Sequence, residues 1–200
     1  MFYRICYAIV RFALMFVFRF KFVGRENLPK EGGVIVAFNH KSNWDPVAAG
    51  LSSKRKLRFM AKEELFENPV FGALISKLGA FPVHRGKGDI GAVKASLKIL
   101  SEGEVMLMFP EGHRIKDGRR VKAKPGIVLI AQRARVPVVP VCISGKYAWM
   151  HKITVTYGKP ISLEEYYGKR LEQEKIQEIA DGILDSVRAL DADGAKGITK

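Results

Sequence analysis

The sequence is poor in cysteine, with Cys6 and Cys142 as the only two among its 200 residues. They stand far apart in the chain, each in an apolar context. Two such cysteines form neither a disulfide framework nor the paired spacing of a zinc site. Their scarcity favours a reducing, cytosolic setting.

Long hydrophobic runs are also missing. The most apolar stretch, residues 1–23, is interrupted by basic residues and never reaches the ~20 apolar residues that a membrane-spanning helix needs. At helical spacing, its three arginines fall on one narrow arc and aromatic residues cover much of the remainder. We therefore predict an amphipathic helix that lies in a membrane interface. The alternative is an ordinary helix that covers a core. The residues predicted to contact the membrane are Arg4, Arg11, Phe12, Phe16 and Arg19.

Acidic residues are scarce relative to basic ones. Lys and Arg number 34 against 20 Asp and Glu, which gives a net charge of +14. A surface this basic attracts anions such as nucleic acid, anionic lipid headgroups or phosphorylated substrates. The sequence has no helix-turn-helix, zinc-finger or aromatic RNA-binding motif. We therefore expect no nucleic-acid partner and an anionic membrane surface instead, and a basic nucleic-acid or membrane-binding protein is the non-enzyme alternative.

Beyond residue 30, strand and helix patterns alternate, which predicts an α/β fold with a largely parallel central sheet flanked by helices. The predicted organisation is an N-terminal membrane-association segment at 1–30, an α/β domain at 31–192 and a loose tail at 193–200. The predicted strands are 33–39, 57–61, 80–84, 105–109, 136–143 and 153–157, and the predicted helices are 46–52, 70–78, 90–100, 126–135 and 171–190.

A polar loop with a histidine and an aspartate follows the first of these strands, in the stretch NHKSNWDP. Imidazole is well suited to removing a hydroxyl proton near neutral pH. A carboxylate on its other nitrogen fixes the tautomer and stabilises the imidazolium that forms. His40 and Asp45 would not share a face of a regular helix, but a loop folding back onto a helix start brings them together. Asp45 before Pro46 also has the pattern of a helix N-cap, and for His40 the alternative is a purely structural histidine.

A second motif, FPEGHR, follows the strand at 105–109. Gly112 lets the backbone approach a ligand closely, and Arg114 offers a planar fork for phosphate oxygens. Glu111 could orient Arg114 or hold a hydroxyl of a substrate. Taken alone, the stretch could also be an ordinary turn.

Two further stretches complete the set. GAFPVHR at residues 79–85 carries Arg85 at a predicted strand end. VPVVPV at residues 136–141 contains two prolines, which argue against a central strand and favour a sheet edge or the wall of an apolar groove.

Taken in order, these four stretches resemble the signature of the glycerophospholipid acyltransferase family, in particular its bacterial 1-acyl-sn-glycerol-3-phosphate acyltransferases. His40 and Asp45 match the family's H-x-x-x-x-D motif, and residues 109–114 match its F-P-E-G-x-R motif. Residues 79–85 match its phosphate-binding arginine block, and residues 136–141 its proline-containing block. Four motifs in the right order, spread from residue 39 to residue 141, make this a specific match.

The resemblance implies that His40 deprotonates the free hydroxyl of a lysophosphatidate-like acceptor, which then attacks an acyl thioester without a covalent enzyme intermediate. It implies that Asp45 orients His40 and that Arg85, Glu111, Gly112 and Arg114 bind the acceptor. The product would be phosphatidic acid. The donor would be acyl-CoA or acyl-carrier protein, with no cofactor and no metal. The expected location is the cytoplasmic face of the cell membrane.

The sequence departs from the family pattern at two positions. His113 stands where the family usually has threonine, and Ile115 stands where it often has serine. A hydroxyl contact is therefore missing and a second imidazole stands near the predicted phosphate site. The departure bears on the detail of acceptor binding and leaves the reaction class unchanged.

Several readings remain open. The acceptor could be another lysophospholipid or glycerol 3-phosphate. Residues 86–91 read G-x-G-x-x-G, which mimics a dinucleotide-binding loop, although nothing else supports a hydride-transferring enzyme. A metal hydrolase using His40, Asp45 and His113 lacks metal-ligand spacing, and an α/β-hydrolase lacks its G-x-S-x-G motif.

Overall fold

The computed structural model describes residues 12, 14, 17–83, 90–115 and 119–191. Within these residues, seven strands form one sheet in the order β1-β7-β6-β2-β5-β3-β4. The strands are β1 (Arg19–Val23), β2 (Val34–Phe38), β3 (Leu57–Lys62), β4 (Ala80–Val83), β5 (Val105–Met108), β6 (Val138–Ser144) and β7 (Lys152–Tyr157). The α-helices are α1 (Asp45–Ser52), α2 (Pro69–Leu78), α3 (Ile90–Ser101), α4 (Gly126–Ala134) and α5 (Gln173–Ala189).

The sheet is largely parallel, as the alternating pattern predicted. Strands β2 to β6 all run in the same direction. Strand β7 runs antiparallel to β6, and β1 runs parallel to β7. The strands and helices predicted beyond residue 30 are present, with described ends within two residues of those expected. The α/β fold class is confirmed.

Helices cover both faces of the sheet and bury a core on each side. One core joins Ile35 and Ala37 of β2 to apolar residues of α3, α4 and α5. The other joins Val34, Val36 and Phe38 to α1 and to residues that precede β1. All five residues of β2 are buried, as expected of a parallel strand that is covered on both faces.

The first strand corrects one prediction. Residues Arg19–Val23 form β1, which pairs along its whole length with β7. The helical interpretation of residues 1–23 is therefore wrong for these five residues, and Arg19 belongs to an edge strand instead of a helical arc. Alternate residues of β1 are exposed, because an edge strand has a covered and an open face. Arg4, Arg11 and Phe16 lie outside the described residues.

The strand with two prolines corrects another prediction. β6 lies between β7 and β2, inside the sheet, and not at an edge. The carbonyl oxygen of Pro140 accepts the amide of Gly158, 2.8 Å away, just past the end of β7. The amide that proline lacks would point to the same side. The ladder between β6 and β2 therefore loses no hydrogen bond at Pro140.

The strand directions decide where the polar loops meet. β2, β5 and β6 are neighbours and parallel, so their carboxyl ends lie at one edge of the sheet. The loops that follow Phe38, Met108 and Ser144 leave the sheet there. Ligand sites of α/β proteins form at this edge. Among the described helices, none combines the length and the apolar character needed to cross a bilayer.

Candidate active site

The carboxylate of Asp45 is the best-connected group at this edge of the sheet. Its side chain is fully buried. Oδ2 lies 2.9 Å from His40 Nδ1 and accepts the amides of Lys41 and Ser42, each at 2.6 Å. Oδ1 accepts the hydroxyl of Tyr147 at 2.8 Å. These donors satisfy a buried carboxylate that would otherwise destabilise the fold.

Contacts of both its ring and its backbone hold His40 in place. Its Nδ1 faces Asp45, and its ring stacks on Phe109, with centroids 4.0 Å apart and an interplanar angle of 16°. Its backbone amide donates to Glu111 Oε2 at 2.7 Å, and its carbonyl accepts the amide of Ile115 at 2.8 Å. The side chain is 15% exposed. Because Asp45 occupies Nδ1, Nε2 is the nitrogen available to a substrate proton.

Glu111 connects the second motif to the first. It follows β5, is 7% exposed, and receives the His40 amide. Burial raises the pKa of the Glu111 carboxyl, while the His40 amide and the nearby charge of His40 act in the opposite direction. Glu111 contacts the backbone of His40, while the orientation of Arg114 by Glu111 stays a prediction. A contact between Glu111 and a substrate hydroxyl stays a prediction.

Asp45 is the first residue of α1, and Trp44 occupies the cap position. The N-cap prediction was therefore off by one residue. The Asp45 carboxylate points back and accepts backbone amides that precede the helix. It does not cap the amides of the first helical turn. The backward turn is what brings Asp45 to His40, five positions earlier.

Arg114 lies beside the first motif. Its guanidinium donates to Oδ1 of Asn43, and the residue is exposed. A guanidinium carries five N–H donors, so the bond to Asn43 leaves capacity for phosphate oxygens. Gly112 has a φ of 74°, a conformation that suits glycine. A β-carbon there would approach Lys124 Cγ to 2.9 Å, so the Lys124 side chain lies directly over the Gly112 backbone.

The structure thus brings most of the predicted site residues to one loop cluster, namely His40, Asp45, Glu111, Gly112 and Arg114. β4 ends at the same sheet edge, but Arg85 lies outside the described residues, as does most of the glycine-rich stretch at 86–91. Sequence reasoning missed Tyr147, the hydroxyl donor to Asp45. Its position in the loop after β6, a third strand ending at this edge, was the available signal.

Two other chemistries can be compared with the geometry. Across the described ranges, no group of three or more His, Cys, Asp or Glu side chains is arranged to hold a metal ion. Cys142 lies buried in β6, and burial raises the pKa of its thiol to about 12. A thiol in that state is a poor nucleophile at neutral pH.

Comparisons with known proteins agree with this arrangement. A profile of the family described as Acyltransferase matches residues 19–144, more than half of the chain. The 1-acyl-sn-glycerol-3-phosphate acyltransferase of Bacillus subtilis is 36% identical over 62% of this chain and 62% of that protein. The enzyme of the same name from Streptococcus pneumoniae is 32% identical over 80% of this chain and 61% of that protein. The chain therefore spans less than two thirds of the length of either relative.

A solved structure is similar over nearly the whole fold. The crystal structure of the 1-acyl-sn-glycerophosphate (LPA) acyltransferase, PlsC, from Thermotoga maritima superposes with a TM-score of 0.73 at 25% sequence identity. The match covers 95% of this chain and 80% of that one.

The buried Glu111 predicts a pH-dependent stability. A carboxyl whose pKa is raised on folding stabilises the fold below the unfolded value of about 4.3, and that contribution is lost as the pH rises through the native value. Glutamine cannot titrate. We therefore expect Glu111→Gln to gain stability relative to the unsubstituted protein as the pH rises from about 4 to 7.

Urea denaturation across this range measures the difference. Glu67→Gln, at an exposed position, is the matched control and should show a smaller change with pH. If the stability of Glu111→Gln relative to the unsubstituted protein stays constant or falls as the pH rises, the effect of burial on the Glu111 pKa is contradicted.

Proposed function

The chain belongs to the acyltransferase family, and we propose that it transfers a fatty acyl chain from an acyl thioester to the free hydroxyl of 1-acylglycerol 3-phosphate. The observation that carries the proposal is the His40–Asp45 pair, with its nitrogen and oxygen 2.9 Å apart and the carboxylate fully buried. This arrangement resembles the base-and-carboxylate pair that activates hydroxyl nucleophiles in other acyl-transfer enzymes.

The proposed reaction uses His40 as a general base. Nε2 accepts the proton of the acceptor hydroxyl while the hydroxyl oxygen attacks the thioester carbonyl carbon. The new ester bond forms as the carbon–sulfur bond breaks, and the imidazolium returns the proton to the departing thiolate. The Asp45 carboxylate holds Nδ1 and stabilises the imidazolium between these steps. The proposed transfer is direct, without a covalent enzyme intermediate, and the buried thiol of Cys142 takes no part in it.

The proposed acceptor carries a phosphate, and Arg114 is the described residue best suited to bind it. It is exposed and bonded to Asn43, three residues from His40. A guanidinium bonded to the His40 loop can hold a phosphate while the neighbouring hydroxyl reaches Nε2. We assign Arg85 to the same phosphate from its motif. Gly112 would let backbone amides approach it closely, and Glu111 would keep the His40 loop in position.

The names of the similar bacterial proteins support this acceptor. Both the Bacillus subtilis and the Streptococcus pneumoniae relatives are 1-acyl-sn-glycerol-3-phosphate acyltransferases, and the product of that reaction is phosphatidic acid. Another lysophospholipid and glycerol 3-phosphate are the alternative acceptors. The donor is acyl-CoA or acyl-carrier protein, because both present a thioester on the same phosphopantetheine arm.

The proposed site of action is the cytoplasmic face of the cell membrane, with the chain bound peripherally. Both the acceptor and the product carry acyl chains that belong in a bilayer. The net charge of +14 favours an anionic surface. Phe12 is 66% exposed, which is costly in water and favourable at a lipid interface.

His40→Ala is expected to abolish turnover while the fold stays intact. Loss of a general base lowers the rate by about 10²–10⁴-fold. The measurement is kcat for acyl transfer to 1-acylglycerol 3-phosphate, with circular dichroism as the check on folding. His151→Ala, at an exposed histidine beyond β6, is the matched control and should keep normal activity. A folded His40→Ala protein with near-normal kcat would refute the proposed mechanism.

Arg114→Ala and Arg85→Ala are expected to weaken acceptor use. Each loses charge-assisted hydrogen bonds to phosphate of about 1.5–3 kcal/mol, which should appear as a lower kcat/KM for the phosphorylated acceptor. Kinetics with a monoacylglycerol that lacks the phosphate provide the comparison. Arg133→Ala, at an exposed position in α4, controls for loss of a positive charge. An equal loss with both acceptors would show that the arginines do not recognise phosphate.

Removal of residues 1–16 is expected to weaken membrane binding while leaving β1 in place. The deletion removes Arg4 and Arg11, each worth about 1 kcal/mol at an anionic surface, together with most of the apolar segment. Binding to anionic vesicles should therefore fall by at least about thirty-fold, as measured by co-sedimentation. Full-length Arg4→Gln/Arg11→Gln separates the charge contribution from the apolar one. Unchanged vesicle binding after the deletion, in a folded protein, would rule out the segment as the anchor.

A further inference from the structure

Tyr147 makes a contact that the proposed mechanism does not use. It lies in the loop between β6 and β7, and its hydroxyl donates to Asp45 Oδ1 at 2.8 Å. The other oxygen, Oδ2, receives His40 and two backbone amides. Among the described donors, the tyrosine is therefore the one that engages Oδ1. Without the Tyr147 hydroxyl, Oδ1 of this fully buried carboxylate would lose its hydrogen-bond donor.

The ring of Tyr147 is held firmly enough to aim its hydroxyl. It packs edge-on against Phe18, with ring centroids 5.6 Å apart, and Phe18 is in turn edge-on to Trp44 at 5.9 Å. The loop before it is tied to the first motif, because Lys41 Nζ donates to the carbonyl of Gly145 at 2.6 Å. Aromatic and polar contacts therefore fix Tyr147 relative to Asp45 from two directions.

The hydroxyl stays a neutral donor. Burial raises the pKa of Tyr147 above its usual value, and the adjacent Asp45 carboxylate raises it further. A neutral phenol beside a carboxylate donates a hydrogen bond and disperses part of the negative charge. Its effect is thus on the carboxylate that holds the catalytic imidazole.

We propose that Tyr147 is a positioning residue of the active site, whose hydroxyl orients the Asp45 carboxylate and lowers the proton affinity of the His40–Asp45 pair. The proposal rests on the proposed role of His40 as the general base. Tyr147 does not touch the reacting atoms and acts through Asp45. With the Tyr147 hydroxyl present, the imidazole stays unprotonated, and able to accept a proton, down to a lower pH than it would without the hydroxyl.

The expected direction follows from electrostatics. Removal of the hydroxyl leaves more negative charge on the oxygen that faces His40, so the pair holds its proton more tightly. The acid limb of the pH–rate profile, where the base becomes protonated, therefore moves to higher pH. The substitution leaves the other charged groups near the pair in place. They are Glu111, which accepts the His40 amide and lies near Arg188, Lys41, which donates to the Gly145 carbonyl, and Arg114, which donates to Asn43.

The test is Tyr147→Phe in the full chain, assayed with 1-acylglycerol 3-phosphate in vesicles. Phenylalanine keeps the ring against Phe18 and removes only the hydroxyl. We expect the acid limb of kcat/KM to move up by about 0.5–1 pH unit, because the hydroxyl binds Asp45 and only part of the strength of that hydrogen bond is transmitted to His40. We also expect kcat at its optimum pH to fall about ten-fold as the imidazole loses its orientation.

A second readout does not depend on activity. NMR titration of the His40 imidazole should show a midpoint displaced upward by a similar amount in Tyr147→Phe. Tyr157→Phe is the matched control, because its hydroxyl lies 2.7 Å from that of Ser52 in the core and outside the site. Tyr157→Phe should lower stability without moving either the acid limb or the titration midpoint.

The outcomes separate this inference from the proposed function. If His40→Ala is inactive while Tyr147→Phe keeps the unsubstituted acid limb and titration midpoint, the positioning role is refuted and the general base stands. If His40→Ala is active, the proposed function fails, and the NMR titration alone then tests whether Tyr147 controls the pair. If Tyr147→Phe only loses stability, with the acid limb and the titration midpoint both unchanged, the role of Tyr147 is structural and the proposal is refuted.

Discussion

A carboxylate that is fully shielded from water must be surrounded by donors, because its desolvation is otherwise prohibitive. Asp45 meets this requirement with donors from its own loop and from the loop after β6. The same bonds that make its burial possible also fix His40 against it. The geometry of the proposed active site and the stability of this sheet edge thus depend on one buried group. Removal of any donor would affect both.

The sheet topology supplies the rest of the site. β2 lies between β5 and β6, and all three run the same way, so three loops distant in sequence meet at one edge. The loop after β5 provides Glu111 to the His40 amide and Phe109 to the His40 ring. Arg114, from the same loop, donates a hydrogen bond to Asn43. Hydrogen bonds of these loops hold both the proposed base and the proposed phosphate-binding arginine, which restricts their relative movement.

The segment before β1 also contributes to the site. Phe18 is 5% exposed and packs on both Tyr147 and Trp44. The carbonyl of Val17 accepts the amide of Met150, 2.8 Å away. The residues that directly follow the proposed membrane segment therefore pack against Tyr147 and Trp44, the aromatic side chains beside Asp45.

The amino-acid sequence by itself determined the fold class and most of the residues that we propose for the active site. Buried parallel strands leave continuous apolar runs such as Val34–Phe38, and the polar residues that follow the strand ends form recognisable motifs. His40, Asp45, Glu111 and Arg114 could therefore be named from their motifs. Local patterns failed where pairing with a distant strand overrode them, as in Arg19–Val23, which reads as a helix but pairs with β7.

Only the tertiary structure decided which groups touch. Pro140 has a central place in the sheet because its missing amide falls just past the end of β7, which no local rule for proline anticipates. Glu111 accepts the backbone amide of His40, 71 positions earlier in the chain. Tyr147 reaches Asp45 across 102 positions of the chain. Hydrogen-bond partners depend on strand order and register, and those arise from the packing of the whole sheet and not from any one segment.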